Sequence, residues 1–493
     1  MPQNDALRPA EIRSRAASGV MAFVFRGITV RGLGFASTIV LARYLAPSQL
    51  GLIALASTVL FFGQILANGG FASGLVRGEE EPDHASLAAV QGFQLAVTVA
   101  IAAPVVAIGV PLGGAGALAA LMVLSLPVSV LRVPLVVHAQ RKLLYDKLAR
   151  AEIVEGAVYS VLTIALVVAG LGVWGVAIAT VVKPFVGLWV LRTSTGVRIV
   201  GPRWNWPLVR PLLGFGISFQ ALDLSNAMRD YGTNFVIVGV AGPAVLGLWN
   251  LTSRVMLVVT MLFSSLYRVS FSAMSRLLAT HEPVDGTLRR AFGLTATAIA
   301  LLATPLAGSA PALVPIVFGE RWSEVASVVP WVAAGLLLTG PVSTAATGYI
   351  LALGDGRTIV RNVLLHTAAF FAVMTPLLPS LGVQAAGIGY LAMAITDVLL
   401  LSAAVRRTAA VDPLRITLPV AAVALAAGTA GWVTADALGV NVLGAVAAAA
   451  LAEALLLAGL KVVGSGSLRD LAGVVARALR PRLVPLRRAV GRA

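Results

Sequence analysis

The sequence predicts an all-α polytopic membrane protein. We expect about fourteen transmembrane helices, arranged as two parallel six-helix repeats plus two extra C-terminal helices. Three observations predict this. Apolar residues make up 58% of the 493-residue chain and charged residues 12%, with mean hydropathy +0.91, against about 25% charged in ordinary globular domains. The apolar residues come in runs long enough to cross a hydrocarbon core of about 30 Å. A hairpin signature also occurs twice. Ala42-Arg43-Tyr44-Leu45-Ala46-Pro47-Ser48-Gln49-Leu50-Gly51-Leu52 returns as Gly242-Pro243-Ala244-Val245-Leu246-Gly247-Leu248, placing Leu50-Gly51-Leu52 on Leu246-Gly247-Leu248.

Taken in order, residues 1–17 form a polar arm with Arg8, Arg13 and Arg15. The first apolar run is too long for a secretory leader and no small-residue cleavage site follows it, so it reads as a retained span. Spans 1 to 14 fall at approximately 18–42, 50–75, 86–110, 114–137, 151–170, 172–192, 212–240, 244–267, 288–308, 325–350, 358–379, 382–404, 415–435 and 439–461. The breaks carry Gly, Pro or charge, as in Pro111-Leu112-Gly113-Gly114, Gly201-Pro202-Arg203 and Leu353-Gly354-Asp355-Gly356. The spans near 120–150 and 300–330 have the least sharp ends.

The repeat extends past the hairpin. Leu171-Gly172-Val173-Trp174-Gly175-Val176 opens span 6 and Leu381-Gly382-Val383-Gln384-Ala385-Ala386 opens span 12. An even number of spans per repeat makes the two halves parallel, which implies two lobes around a central cavity. The expected organisation is an N-lobe over 18–192, a cytoplasmic linker over 193–211 and a C-lobe over 212–404. Spans 13 and 14 follow over 415–461. The tail over 467–493 carries Leu468, Leu471, Val474, Val475 and Leu479 at helical spacing among arginines, and reads as a basic amphipathic helix on the inner leaflet.

Orientation follows from the basic residues. With the N-terminus cytoplasmic, 29 of the 37 Lys and Arg fall inside, two (Arg43 and Arg321) outside and six within spans. This positive-inside asymmetry puts both termini in the cytoplasm. It also accounts for the net charge of +16 without nucleic acid, because the cations are spread thinly between apolar runs. The acidic run Glu79-Glu80-Glu81 sits on a cytoplasmic loop. The absence of cysteine excludes disulfides and thiol chemistry, and His84, His138, His281 and His366 lie too far apart for a zinc motif.

Ionisable groups within spans are the default site candidates. Arg31 lies near the middle of span 1; Arg26 is five residues earlier, about 140° round the helix. Arg254 lies mid-depth in span 8. Span 7 carries a polar stripe of Gln220, Asp223, Asn226, Asp230 and Asn234 with Arg229 beside it, and Gln64 and Asn68 form an i, i+4 pair on span 2. We take Arg31, Arg254, Arg26, Arg229, Asp223, Asp230, Gln64 and Asn68 as the substrate-binding set. The structural alternative is an arginine pinning two helices through a carboxylate, as in Arg229–Asp223 or Arg229–Asp230, or snorkelling to the interface. Lys183, beside Pro184, then supports a kink, Arg132 and Glu155 are interfacial, and His366 is a packing residue; for Asp397 and Glu453, in late spans, a structural role is preferred to a proton or ion site. Arginines facing water between dry walls ask for an anion, since guanidinium is always charged and forks onto phosphate oxygens. No phosphate-binding Gly-rich loop, catalytic triad or metal cluster is present, so the chain is not expected to be an enzyme or to carry a cofactor.

The hairpin Leu41-Ala42-Arg43-Tyr44-Leu45-Ala46-Pro47 with Leu50-Gly51-Leu52 resembles the first-hairpin signature of the bacterial polysaccharide flippases. These are the O-antigen and exopolysaccharide repeat-unit transporters of the multidrug/oligosaccharidyl-lipid/polysaccharide (MOP) superfamily. Gly172-Val173-Trp174-Gly175, Ser275-Arg276-Leu277 and Phe318-Gly319-Glu320-Arg321-Trp322 resemble later family segments in the same order. Ser272 stands where the family often has proline, and Asn234 where it often has aspartate, which removes a proton or cation ligand there.

The resemblance implies alternating-access transport of a polyprenyl-diphosphate-linked oligosaccharide across the bilayer of the cell inner membrane, alongside a polysaccharide polymerase and glycosyltransferases. It implies that span 1, 2 and 8 arginines hold the diphosphate, matched by Arg26, Arg31 and Arg254 but by no span 2 arginine before Arg77, and that spans 13 and 14 flank a lipid groove. The coupling ion, proton or sodium, stays open. A multidrug/cation antiporter of the same superfamily is the alternative, disfavoured by cationic mid-membrane charge and by the two surplus spans. A non-transporting scaffold for polysaccharide assembly is the third.

Overall fold

The computed structural model describes residues 9–68, 71, 75, 82–197, 201–280, 282–463, 468–471 and 473, with the backbone alone for 9–24, 28, 212–227, 258, 261–269, 272 and 273. Thirteen helical stretches among the described residues are long and apolar enough to cross a membrane. The protein is an all-helical, multi-pass membrane protein. The stretch Trp206–Ala279 is one continuous run by its hydrogen bonds but is broken at Gly242, with φ 85° and ψ 174°. Spans 7 and 8 lie on either side of that break.

Most span ends match the sequence reading within a few residues, and the differences have local causes. The first helix spans Pro9–Tyr44 among the described residues, and so takes in residues 9–17 of the expected polar arm. Span 4 is not one helix but three short ones, Gly114–Val123, Ser125–Leu131 and Val133–Arg141. Pro127 and Pro134 each withhold the amide that would bond four residues back, and the helix breaks at Leu124 and Arg132. Span 9 extends to Phe318 and ends at Gly319, whose φ of 106° suits only glycine. The amide of Trp322 then bonds the Gly319 carbonyl at 3.0 Å and its indole is fully buried, so the Phe-Gly-x-x-Trp segment serves as a helix stop and anchor.

Internal duplication is visible in the backbone. Gly172, which starts span 6, has φ 54° and ψ −130°; Gly382, which starts span 12, has φ 53° and ψ −130°. The repeated hairpins also touch. A Cβ on Gly51 would collide with the Pro243 carbonyl, and a Cβ on Gly247 with the Pro47 carbonyl, so the two backbones approach reciprocally at the equivalent glycines.

Contacts divide the chain into two units, Met1–Gly247 and Leu248–Ala493. In the first, Ala56, Leu60, Leu118, Met122, Leu126 and Ala177 join spans 2, 4 and 6, while Leu41, Leu45, Ile53, Val167 and Val176 seat the first hairpin on spans 5 and 6. In the second, Phe292, Tyr349, Ile359 and Leu401 join spans 9 to 12. Spans 13 and 14 pack on span 9 through small residues: Gly308, Gly431, Ala448 and Ala452 let the backbones approach closely.

Candidate functional site

In the first unit, spans 1, 4, 5 and 6 bring together a group of charges. Glu152 and Glu155 stand three residues apart on span 5, hence on one helix face. Glu152 forms an ion pair with Arg26 of span 1. Glu155, buried, accepts from Arg132 at 2.7 Å, and Arg132 sits at the break in span 4 that Pro134 creates. Gly187 of span 6 makes the room: a Cβ there would lie 2.5 Å from Glu155 Oε2 and 2.9 Å from Arg132 Nη1. Lys183, one turn earlier, places its ammonium 5.5 Å from the Tyr159 ring centroid, and both it and Arg132 act electrostatically on Glu152.

Arg31, by contrast, is exposed and forms no ion pair among the described residues. Arg229 is paired with its neighbour Asp230 at 2.9 Å, and Asp230 is itself 60% exposed. Asn234, one turn further on, is buried and donates to Thr58 Oγ1 of span 2 at 2.8 Å. Beside it Tyr231 stacks on Phe61 with ring centroids 4.0 Å apart. This end of the span 7 stripe therefore packs on span 2. The side chain of Asp223 lies outside the described residues, as do those of Gln220 and Asn226. Gln64 is half-buried and Asn68 exposed, with no hydrogen bond between their side chains among the described residues; the Asn68 carbonyl instead accepts from Gln94 at 3.3 Å.

In the second unit Arg254 is exposed on span 8. The other polar centre there is buried. Asp397 of span 12 accepts from Thr339 of span 10 and, at 2.5 Å, from Asn362 of span 11, and His366 Nδ1 lies 3.1 Å from the same carboxylate. The described residues contain no group of three or more His, Cys, Asp or Glu able to hold a metal ion.

Sequence reasoning placed Arg26, Arg31, Arg229 and Arg254 on the correct helices but missed Glu152, Asn362 and Thr339. Counting outward from the two repeat glycines finds the partners. Glu155 and Gly187 lie 17 before and 15 after Gly172; His366 and Asp397 lie 16 before and 15 after Gly382, so each pair sits at one depth of an antiparallel helix hairpin. The tail beyond residue 473 and the acidic run at Glu79–Glu81 lie outside the described residues.

The fold is shared with solved membrane transporters. The structure is similar to a lipid II flippase, MurJ, in an inward closed conformation (TM-score 0.65, 12% identity, 92% of this chain and 100% of that one). It is also similar to an inward-facing multidrug resistance MATE family transporter of the MOP superfamily (TM-score 0.55, 17% identity, 80% of this chain and 100% of that one). No curated protein matches the chain. The model of the polysaccharide biosynthesis protein family matches residues 40–327. That is more than half of the chain, and the chain belongs to this family.

Proposed function

We propose that the protein is a flippase that turns polyprenyl-diphosphate-linked oligosaccharide repeat units across the inner membrane for surface polysaccharide synthesis, by alternating access and with both termini cytoplasmic. Arg31 carries the reading. Within the first unit Arg26, Arg132 and Arg229 each have a carboxylate and Lys183 has a tyrosine face, whereas Arg31, mid-span, has no ion pair among the described residues. A charge kept at membrane depth without a carboxylate suits a ligand that brings its own negative charge, and a diphosphate offers oxygens for both arms of the guanidinium. Family membership and the flippase-like fold support the same substrate class. A cation exporter would need carboxylates open to its path. In the first unit Glu152 and Glu155 are both engaged by arginine.

The test is polysaccharide export in a flippase-null host, comparing wild type with Arg31→Ala, Arg31→Lys and Arg254→Ala at matched membrane levels. Restoration by wild type and loss in Arg31→Ala, with partial recovery in Arg31→Lys, is expected. Full export by Arg31→Ala would remove the arginine from substrate binding. Drug efflux without export would favour the antiporter.

A further inference from the structure

The geometry points to a proton-binding site in the second unit, formed by Asp397 and His366 between spans 10, 11 and 12. All four side chains of the centre are more than nine-tenths buried: Thr339 and His366 are 7% exposed, Asn362 and Asp397 5%. Asn362 and Thr339 donate to Asp397, one to each oxygen, and the His366 ring meets it in the tautomer that carries a proton on Nδ1. Asn362 Nδ2 and His366 Nδ1 meet one oxygen, and Thr339 Oγ1 meets the other. Such a shell satisfies a carboxylate but repels a metal ion, which would need oxygen lone pairs facing it.

The charge balance supplies the proton. With imidazole neutral, the centre carries one net negative charge away from water, a costly state. One added proton, on His366 Nε2 to give imidazolium or on Asp397 to give a carboxylic acid, brings the centre to zero net charge. The two protonation states hold the same number of protons, so the proton belongs to the pair.

Asn362 provides a second observation. Its Oδ1 is buried and accepts no hydrogen bond among the described residues. Turning the amide by half a rotation would present that oxygen to Asp397, an arrangement satisfied only when the carboxyl carries a proton to donate. The centre thus has a partner arrangement for both states.

Among the described residues, His366 is the one ionisable side chain that pairs with Asp397. Span 10 contributes Tyr349, whose hydroxyl donates to the Thr408 carbonyl near the span ends. Span 11 contributes Arg357 and Arg361, both exposed. On span 12, Tyr390 packs against Gly335, and Arg406 faces Asp412 at 3.7 Å. Span 13 contributes Arg415, also against Asp412, and the exposed Asp436.

The first repeat gives a contrast at equivalent positions. There spans 4, 5 and 6 meet through Arg132, Glu155 and Gly187, and the cation is an arginine that does not titrate. In the second repeat, counted from Gly382, His366 stands near the place of Glu155 and Asp397 at that of Gly187, and the cation that can face the carboxylate is a titratable imidazole. Losing the proton from a dry centre leaves a bare charge that draws water in, so deprotonation and parting of spans 10, 11 and 12 go together. This coupling role rests on the transporter reading; proton binding itself does not.

The experiment is infrared difference spectroscopy on the full chain in lipid nanodiscs, titrated between about pH 5 and 8, without substrate. Wild type should take up one proton per chain more than Asp397→Asn, with a carboxyl or imidazolium signal that is absent in that variant and shifted in His366→Gln, and indifferent to added sodium. Identical titrations in all three folded proteins would overturn the proposal, as would displacement of the proton by sodium. If Asp397→Asn does not fold, His366→Gln decides alone: it keeps the carboxylate and an amide donor, and an unmoved curve refutes the site. Because no transport is measured, failure here leaves the flippase reading to stand or fall on the export assay.

Discussion

Gly51→Ala tests the packing of the duplicated hairpins. The added methyl points at the Pro243 carbonyl and comes within 3.1 Å of the Gly247 amide. Both obstacles are backbone, so no rotamer change relieves the overlap and two helix starts must separate. Overpacking of a tight contact costs roughly 1–3 kcal/mol, offset by about 0.5–1 kcal/mol from replacing a helical glycine with alanine. A net loss of roughly 1–2 kcal/mol corresponds to roughly 2–8 °C in melting temperature for a unit of this size. The assay is thermal unfolding in detergent, with Gly239→Ala as control, where a Cβ meets nothing within 4 Å. The control should melt slightly above wild type and Gly51→Ala clearly below. Because Gly51 and Gly247 belong to one contact, the double alanine variant should lose less than the sum of the single losses. A Gly51→Ala protein that melts with wild type would refute the reciprocal contact.

Removing one member of the Arg132–Glu155 pair leaves an uncompensated charge at membrane depth. Glu155→Ala should therefore cost about 3 kcal/mol, and Glu155→Ala with Arg132→Met much less, read as melting temperature. Gly187→Ala should lower stability at the same place, since the methyl enters the space the pair occupies. On the exposed loops, Asp83 and Asp355 cap helix starts: their carboxylates are held below the usual value of 3.8 by Ser86 and by Thr358 respectively. Their contribution is thus present above that value and lost as pH falls through the lower folded-state pKa. The acid sensitivity of wild-type unfolding should flatten in Asp355→Ala, and unchanged acid curves would contradict the capping role.

Span positions were legible because length and hydropathy are written directly in composition, and the breaks at Gly172, Gly382 and Gly439 carry the residue that positive φ demands. Span 4 was misread as continuous because a hydropathy window averages over Pro127 and Pro134, whereas the hydrogen-bond ladder does not. Site residues divided along similar lines. Arginines stand out in an apolar run on their own account. Their partners do not: Glu152 sits at the polar start of span 5, where a carboxylate looks like a boundary, and His366 and Asp397 are 31 residues apart. Only pairing the helices about Gly382 brings them level.

The reciprocal glycine contact has a consequence for divergence between the two copies. It is made by main chains alone, so it does not read the side chains around it. The charges and aromatics around it can therefore differ between the copies, and one holds a fixed ion pair where the other holds a buried histidine and aspartate. Neither could gain a single methyl group at Gly51 or Gly247 without prising open its twin. The repeated Leu-Gly-Leu therefore marks where two main chains meet rather than where chemistry is done.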